Sequence, residues 1–120
     1  MTNGLTINEA AETTGWSPRM LRYLETVGLI EPGRTGSGYR VFGPEHLQRL
    51  RTLKELLESY ECGLSDVAFA KRLREEQGLR DALDGWFEAP VEQPQGVSSA
   101  DWLSWEQDKH QRLLALADAA

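Results

Sequence analysis

The stretch TINEAAETTGWSPRMLRYLETVG, residues 6–28, decides how this 120-residue chain is read. Thr6 and Glu9 stand three apart, the spacing of a capping box: a hydroxyl caps the helix start and a carboxylate reaches back. Ile7, Ala10 and Ala11 follow at helical spacing, and Gly15 supplies a stop. Ser17-Pro18 restarts a helix, serine as N-cap and proline at the first helical position, where its missing N–H costs nothing. Met20, Leu21, Leu24 and Val27 form its apolar side, and Gly28 ends it. Two short helices about three residues apart are the outline of a helix-turn-helix.

Downstream, Leu29-Ile30-Glu31-Pro32 and Tyr39-Arg40-Val41-Phe42 flank the turn-rich run Gly33-Arg34-Thr35-Gly36-Ser37-Gly38. This predicts a hairpin with a flexible basic tip. Gly43-Pro44 opens a third helix to about Ser59, roughly 24 Å long. Leu47, Leu50, Leu53, Leu56 and Leu57 are its apolar stripe, with Arg49, Arg51 and Lys54 elsewhere on its surface. After Gly63 and Ser65, a helix from Asp66 to about Glu76 carries Val67, Phe69, Ala70 and Leu73, and Leu79, Leu83, Trp86 and Phe87 stripe another. Residues 89–97 hold two prolines and a glycine without any period, which reads as a linker. Ser98, with Asp101 three later, opens a last helix from about Ser99 to Ala117.

Composition narrows the chemistry. A single cysteine, Cys62, excludes an intrachain disulfide. With only His46 and His110 beside it, a four-ligand Cys/His zinc site is not expected, and both histidines read as surface residues. No apolar run approaches the roughly 20 residues of a spanning helix, and the N-terminus has no basic-then-apolar segment, so a soluble, cytoplasmic chain is expected. Gly36-Ser37-Gly38 lacks the third glycine of a dinucleotide loop, and no acid and base are locally paired. No catalytic residue, metal or cofactor is expected, and an enzyme remains open only through tertiary proximity.

The net charge of −6 argues against nucleic acid until its distribution is read. Residues 1–15 carry −2, residues 16–54 carry +4 from seven basic and three acidic side chains, and residues 55–120 carry −8. A basic segment on an acidic remainder is the pattern of local phosphate binding. A helix starting at Ser17 can present its backbone N–H groups to a phosphate in the major groove. Arg19 and Arg22 lie three apart on that helix, Tyr23 follows Arg19 by one turn, and the hairpin adds Arg34 at its tip and Arg40 on its second strand.

These residues also carry a resemblance. Thr6-Ile7-x-Glu9-Ala10-Ala11, Gly15-Trp16-Ser17, Leu21-Arg22-Tyr23-Leu24-Glu25, Gly28-Leu29-Ile30 and Gly38-Tyr39-Arg40-Val41-Phe42 resemble the winged helix-turn-helix of MerR-family bacterial transcription regulators. With Gly63-Leu64-Ser65 and the helix after it, the likeness covers about residues 5–75. It implies a mainly α fold of four helices and a two-stranded β wing, followed by additional helices and a C-terminal dimerisation helix. Residues 1–76 would be the DNA-binding domain, 77–98 an accessory helix and linker, and 99–120 the dimerisation helix. By position, Arg22 and Tyr23 would hold backbone phosphate, Ser17 and Arg19 would approach base edges, and Arg34, Tyr39 and Arg40 would serve the wing. Leu24 stands where a second aromatic is frequent in the family, which puts one phosphate contact in doubt. The expected function is a promoter-binding regulator acting on a (pseudo)palindromic operator as a homodimer. Double-stranded DNA and a second copy are its partners, with RNA polymerase left open as another.

Two other readings stay beside it. Trp86, Phe87, Trp102 and Trp105 could line a small-molecule pocket and make the chain a ligand-gated sensor. A small excisionase-like architectural DNA binder would share the fold. For assembly, the last helix is apolar at both ends and polar from Glu106 to Arg112. It can fold back on Leu83, Trp86 and Phe87, or pair antiparallel with a second copy through Trp102, Leu103, Trp105, Leu113 and Leu116.

Overall fold

The computed structural model describes residues 4–119, with side chains up to Leu116. Helix α1 (Ile7–Thr14) begins on a complete capping box: Glu9 N–H donates to Thr6 Oγ1 at 3.2 Å and Thr6 N–H to Glu9 Oε1 at 2.9 Å. It ends on Gly15 at φ 80°, and α2 (Pro18–Thr26) starts on Ser17, whose Oγ accepts from Met20 N–H at 3.0 Å. Trp16, in the turn between them, is buried and donates from Nε1 to Leu50 O at 3.2 Å. That bond ties the turn to the third helix.

The hairpin sits closer to its turn than its sequence implies. Strand β1 (Gly33–Arg34) pairs antiparallel with β2 (Arg40–Val41), Gly33 opposite Val41 and Arg34 opposite Arg40. Leu29–Pro32, expected as the first strand, is not one. The Leu29 and Ile30 N–H groups both turn back to Leu24 O, at 2.9 and 3.3 Å, and Pro32 has no N–H to offer a ladder. Phe42 pairs instead with Leu5 in an isolated bridge. Arg34 therefore lies in a strand, across from Arg40, and not at the tip.

Helix α3 (Pro44–Ser59) runs through the centre of the core, with Leu47, Leu50, Leu53 and Leu57 fully buried. Around it lie α4 (Asp66–Glu75), capped by Ser65, and α5 (Gln77–Glu88), which buries Leu79, Leu83 and Trp86. Val67 and Phe87, expected on the apolar sides of these helices, point outward. Each residue advances the helix by about 100°, so Phe69 and Trp86 facing inward turn Val67 and Phe87 away. No helix among the described residues is long and apolar enough to cross a membrane.

Helix α6 (Ser99–Ala119) folds back within its own chain, against α3 and α1 and not chiefly against α5. Its inward stripe is Trp102, Glu106 and His110, spaced four apart and all buried. The polar middle of α6 is thus its most buried part. It can be so because the partners are supplied: Arg51 Nε donates to Glu106 Oε2 at 3.0 Å, and His110 Nε2 bonds Leu47 O at 2.8 Å. Gly15 feels the same contact. A Cβ there would lie 2.7 Å from Lys54 Nζ and 2.8 Å from Leu114 Cδ2, on top of the left-handed φ that the turn requires.

Candidate nucleic-acid interface

The exposed surface of α2 and the hairpin collects four arginines. Arg19, 77% exposed, lies on the first turn of α2, and its Nε donates to Asp66 Oδ2 of α4 at 3.2 Å. Arg22 follows three residues on and is exposed. Glu25, three residues further, holds both wing arginines: Arg34 Nη2 at 2.9 Å on Oε2 and Arg40 Nε at 2.7 Å on Oε1. Arg34 Nη1 also donates to Gly38 O at 3.2 Å, closing the wing on itself. Tyr39 stands 74% exposed beside them.

Glu25 and Asp66 have no assigned role in the sequence reading. Two carboxylates amid cations would repel a phosphate, yet here each fixes an arginine that could meet one. The visible signal was an acidic residue inside the one basic segment, and its partners nine and fifteen positions away leave no local trace. Ser17 is exposed, its Oγ accepting the capping bond while its O–H remains able to donate outward. Tyr23 is half-buried, packing edge-on against Phe69 of α4 at 6.3 Å, so its ring also joins α2 to α4. Leu24 is fully buried. The position that departs from the family pattern is a core position in this chain.

The basic segment does not act as one surface. Of the three cations expected on the outer surface of α3, Arg49 and Arg51 turn toward the C-terminal half and Lys54 toward the end of α1. Arg49 donates to Ala89 O and Phe87 O at 3.0 and 2.7 Å and lies over the Trp86 ring at 4.6 Å. Arg51 holds Glu106, and Lys54 donates to Thr14 O at 3.0 Å. Three of the seven cations are thus spent on packing.

Both histidines overturn the surface reading. His46 Nδ1 accepts from Gly43 N–H at 2.8 Å and its Nε2 bonds Glu31 O at 3.0 Å, so both ring nitrogens are used. His110 is buried, and that burial pushes its pKa below the usual histidine range, against the pull of Leu47 O and Glu106. Burial alone would raise the Glu106 carboxyl, but the hydrogen bond and charge of Arg51, with Lys109, hold it below the usual carboxylate range. Cys62 is buried, which pushes its thiol up. It is a protonated packing residue.

The five residues expected to pair two copies divide. Trp102 is buried in its own chain, Leu103 packs on the same core and Leu113 is half-buried, while Trp105 and Leu116 are exposed. The four aromatics that could have lined one pocket do not converge. Trp86 lines a cavity of about 530 Å³, Phe87 lines a different one, and neither Trp102 nor Trp105 lines that first cavity.

Comparison with known proteins gives the family. Residues 5–68 match the model of the MerR HTH family regulatory proteins. A heavy metal-dependent transcription regulator of Rhizobium meliloti is 43% identical over 51 residues, 42% of this chain and 35% of the relative. The mercuric resistance operon regulatory protein of Bacillus cereus is 34% identical over 80 residues, covering 65% of this chain and 61% of its own length. An uncharacterised HTH-type transcriptional regulator of Pseudomonas aeruginosa is 39% identical over 62 residues, 51% of this chain and 45% of the relative. The match therefore spans less than two thirds of each of these relatives. No solved structure gave a significant match. The relatives are transcription regulators, which bind DNA and are not enzymes, and the chain belongs to the MerR helix-turn-helix family.

Proposed function

We propose that this chain is a sequence-specific regulator that binds a (pseudo)palindromic promoter operator as a homodimer in the cytoplasm, associated with the nucleoid. The observation that carries this reading is the Glu25 clamp, which gathers Arg34 and Arg40 of the wing onto the helix bearing Arg19 and Arg22. In it, Arg22 and Tyr23 hold backbone phosphate, Ser17 and Arg19 meet base edges, and Arg34, Tyr39 and Arg40 follow the flanking strand. Residues 1–76 form the DNA-binding unit, 77–98 an accessory helix and connector, and 99–120 the pairing helix. Because Trp102 and Leu103 pack within their own chain, pairing falls to the outward residues of α6, Trp105 and Leu116 with half-buried Leu113. A helix-turn-helix dimer reads two half-sites on one face of the duplex, which a single copy cannot. RNA polymerase at the same promoter is a further partner in this reading. The heavy-metal specificity in two relatives' names is not carried over. Among the described residues, no group of three His, Cys, Asp or Glu side chains could hold a metal ion.

Genome-wide binding followed by footprinting tests this. The expected result is protection of a symmetric site with half-sites about 10 bp apart, centre to centre. Scattered coverage without a preferred sequence would replace this reading by the architectural one. On the recovered operator, Arg22→Ala or Arg40→Ala should weaken binding to all sequences and lower the salt slope by about one. Arg19→Ala should instead relax one or two base pairs, by about 1–3 kcal/mol. If all three variants bind as the parent does, the interface is misplaced. Light scattering of the full chain, free and on operator DNA, tests the dimer, and a monomer in both states overturns it.

A further inference from the structure

The cavity of about 530 Å³ lies between α3, the end of α5, the 89–97 connector and α6, away from the arginines of α2 and the wing. Its size falls within the roughly 300–1,000 Å³ of small-molecule sites. One wall is apolar, formed by the Trp86 indole with Ala89, Pro90 and Pro94. The other is cationic, with Arg49, Arg51 and Lys109 facing a single acid, Glu92.

Most of this lining is already held in place. Trp86 Nε1 donates to Thr52 Oγ1 at 2.8 Å. The Gln48 amide takes both the N–H and the C=O of Glu92, at 2.9 and 2.8 Å, and so pins the connector along the cavity. A site ordered in advance costs an incoming ligand little. The charges are less balanced than the hydrogen bonds. Arg51 and Lys109 share Glu106, at 3.0 and 3.6 Å, and Arg51 also reaches Glu55 at 3.6 Å. Arg49 has only the Phe87 and Ala89 carbonyls and the Trp86 ring, with no carboxylate at ion-pair distance among the described residues. Its burial disfavours the charged form with nothing acidic to offset it.

We propose that this cavity is a binding site for a small aromatic carboxylate, its charge compensating Arg49 beside Lys109 and its ring against Trp86 and the two prolines. A neutral aromatic leaves Arg49 uncompensated while removing water from it. An organic cation meets Arg49, the one lining cation with no carboxylate at ion-pair distance among the described residues. The second charge of a phosphate has no free cation to meet, since Arg51 and Lys109 already hold Glu106. The monoanion with a flat apolar body is the class that matches both walls.

The test follows the four tryptophan indole signals of the isotope-labelled full chain by NMR, with naphthoate as probe and naphthamide as its neutral counterpart. The Trp86 signal is assigned by its loss in Trp86→Phe. Naphthoate should shift that signal saturably with a Kd below about 1 mM, and naphthamide should bind about tenfold more weakly. Arg49→Gln should abolish the preference for the acid over the amide. Should that variant lose its fold with the α5 carbonyls freed, Lys109→Gln must still narrow the preference severalfold. Equal binding of acid and amide, shifts confined to the other indoles, no saturation by about 10 mM, or a preference untouched by the variants would each overturn the site.

Discussion

Glu25 and Glu106 each hold two cations, and they differ in what surrounds them. Glu25 takes Arg34 and Arg40 at the surface, with its own side chain 21% exposed and Arg34 nearly half exposed. Glu106, itself fully buried, takes Arg51 and Lys109, which keep 16% and 32% exposure. Solvent screens the first pair of contacts, so their worth to folding is about 0–1 kcal/mol at most, and the arginines can exchange one oxygen anion for another. The second carboxylate has no water to fall back on, so losing its partners is costly. The same chemical motif therefore serves to aim side chains in one place and to lock a helix in another.

The largest break in that comparison should come from the buried side. Glu106→Ala leaves Arg51 with Glu55 alone, at 3.6 Å, and should cost about 3 kcal/mol in urea unfolding, the low end for a broken buried pair because Arg51 keeps that second carboxylate and is partly wetted. A loss below about 1 kcal/mol would mean that α6 is held by Trp102 and the leucines, and that Glu106 merely accompanies them.

Acid should release the same contact in two steps. The His110 pKa is lowered on folding, so its contribution is complete above the unfolded value near 6.5 and declines as pH falls below that value. The Glu106 pKa is also lowered, so its contribution is present above the ordinary carboxylate value of 4.5 and is lost as pH falls through its folded value. Urea midpoints between about pH 7 and 5 should drop for the parent and stay flatter for His110→Gln. An unchanged slope in that variant would remove His110 from the account.

The smallest effect on folding should come from the exposed side. Glu25→Gln should change stability by under about 1 kcal/mol. On DNA, loss of a carboxylate should raise affinity for random sequence, while the ratio of operator to random affinity falls about five- to tenfold as the wing loses its aim. If gel-shift titrations show both affinities rising together, Glu25 is an electrostatic brake and does not position the wing.

The legible parts of this fold are those whose causes are local. Thr6, Glu9, Ser17 and Pro18 bond or constrain neighbours within four residues, so α1 and α2 can be bounded from the chain alone. The leucines of α3 repeat at its own period. Residues 29–32 read as a strand in sequence and are not one, because a single carbonyl, Leu24 O, captures two amides that look free in the chain. The face of α6 was misread for a related reason: Glu106 and His110 count as polar until Arg51 and Leu47, 55 and 63 positions away, are brought to them. On the candidate interface, the arginines draw notice in sequence because they lie on one helix and one hairpin. The carboxylates that hold them could not: Glu25 reads as an acid that would repel phosphate until the fold pairs it with Arg34 and Arg40, and Asp66 lies 47 positions from Arg19.

The seat of Leu114 over Gly15 has a consequence for how the molecule is assembled in time. The turn between α1 and α2 leaves the ribosome well before the helix that covers its flank, which comes roughly 100 residues later, several seconds of synthesis at ordinary rates. Closing so long a loop delays the contact entropically as well. For that interval the helix-turn-helix exists with one side bare, and a nascent chain halted in the 89–97 connector would carry the arginines of α2 and the wing without the wall behind them.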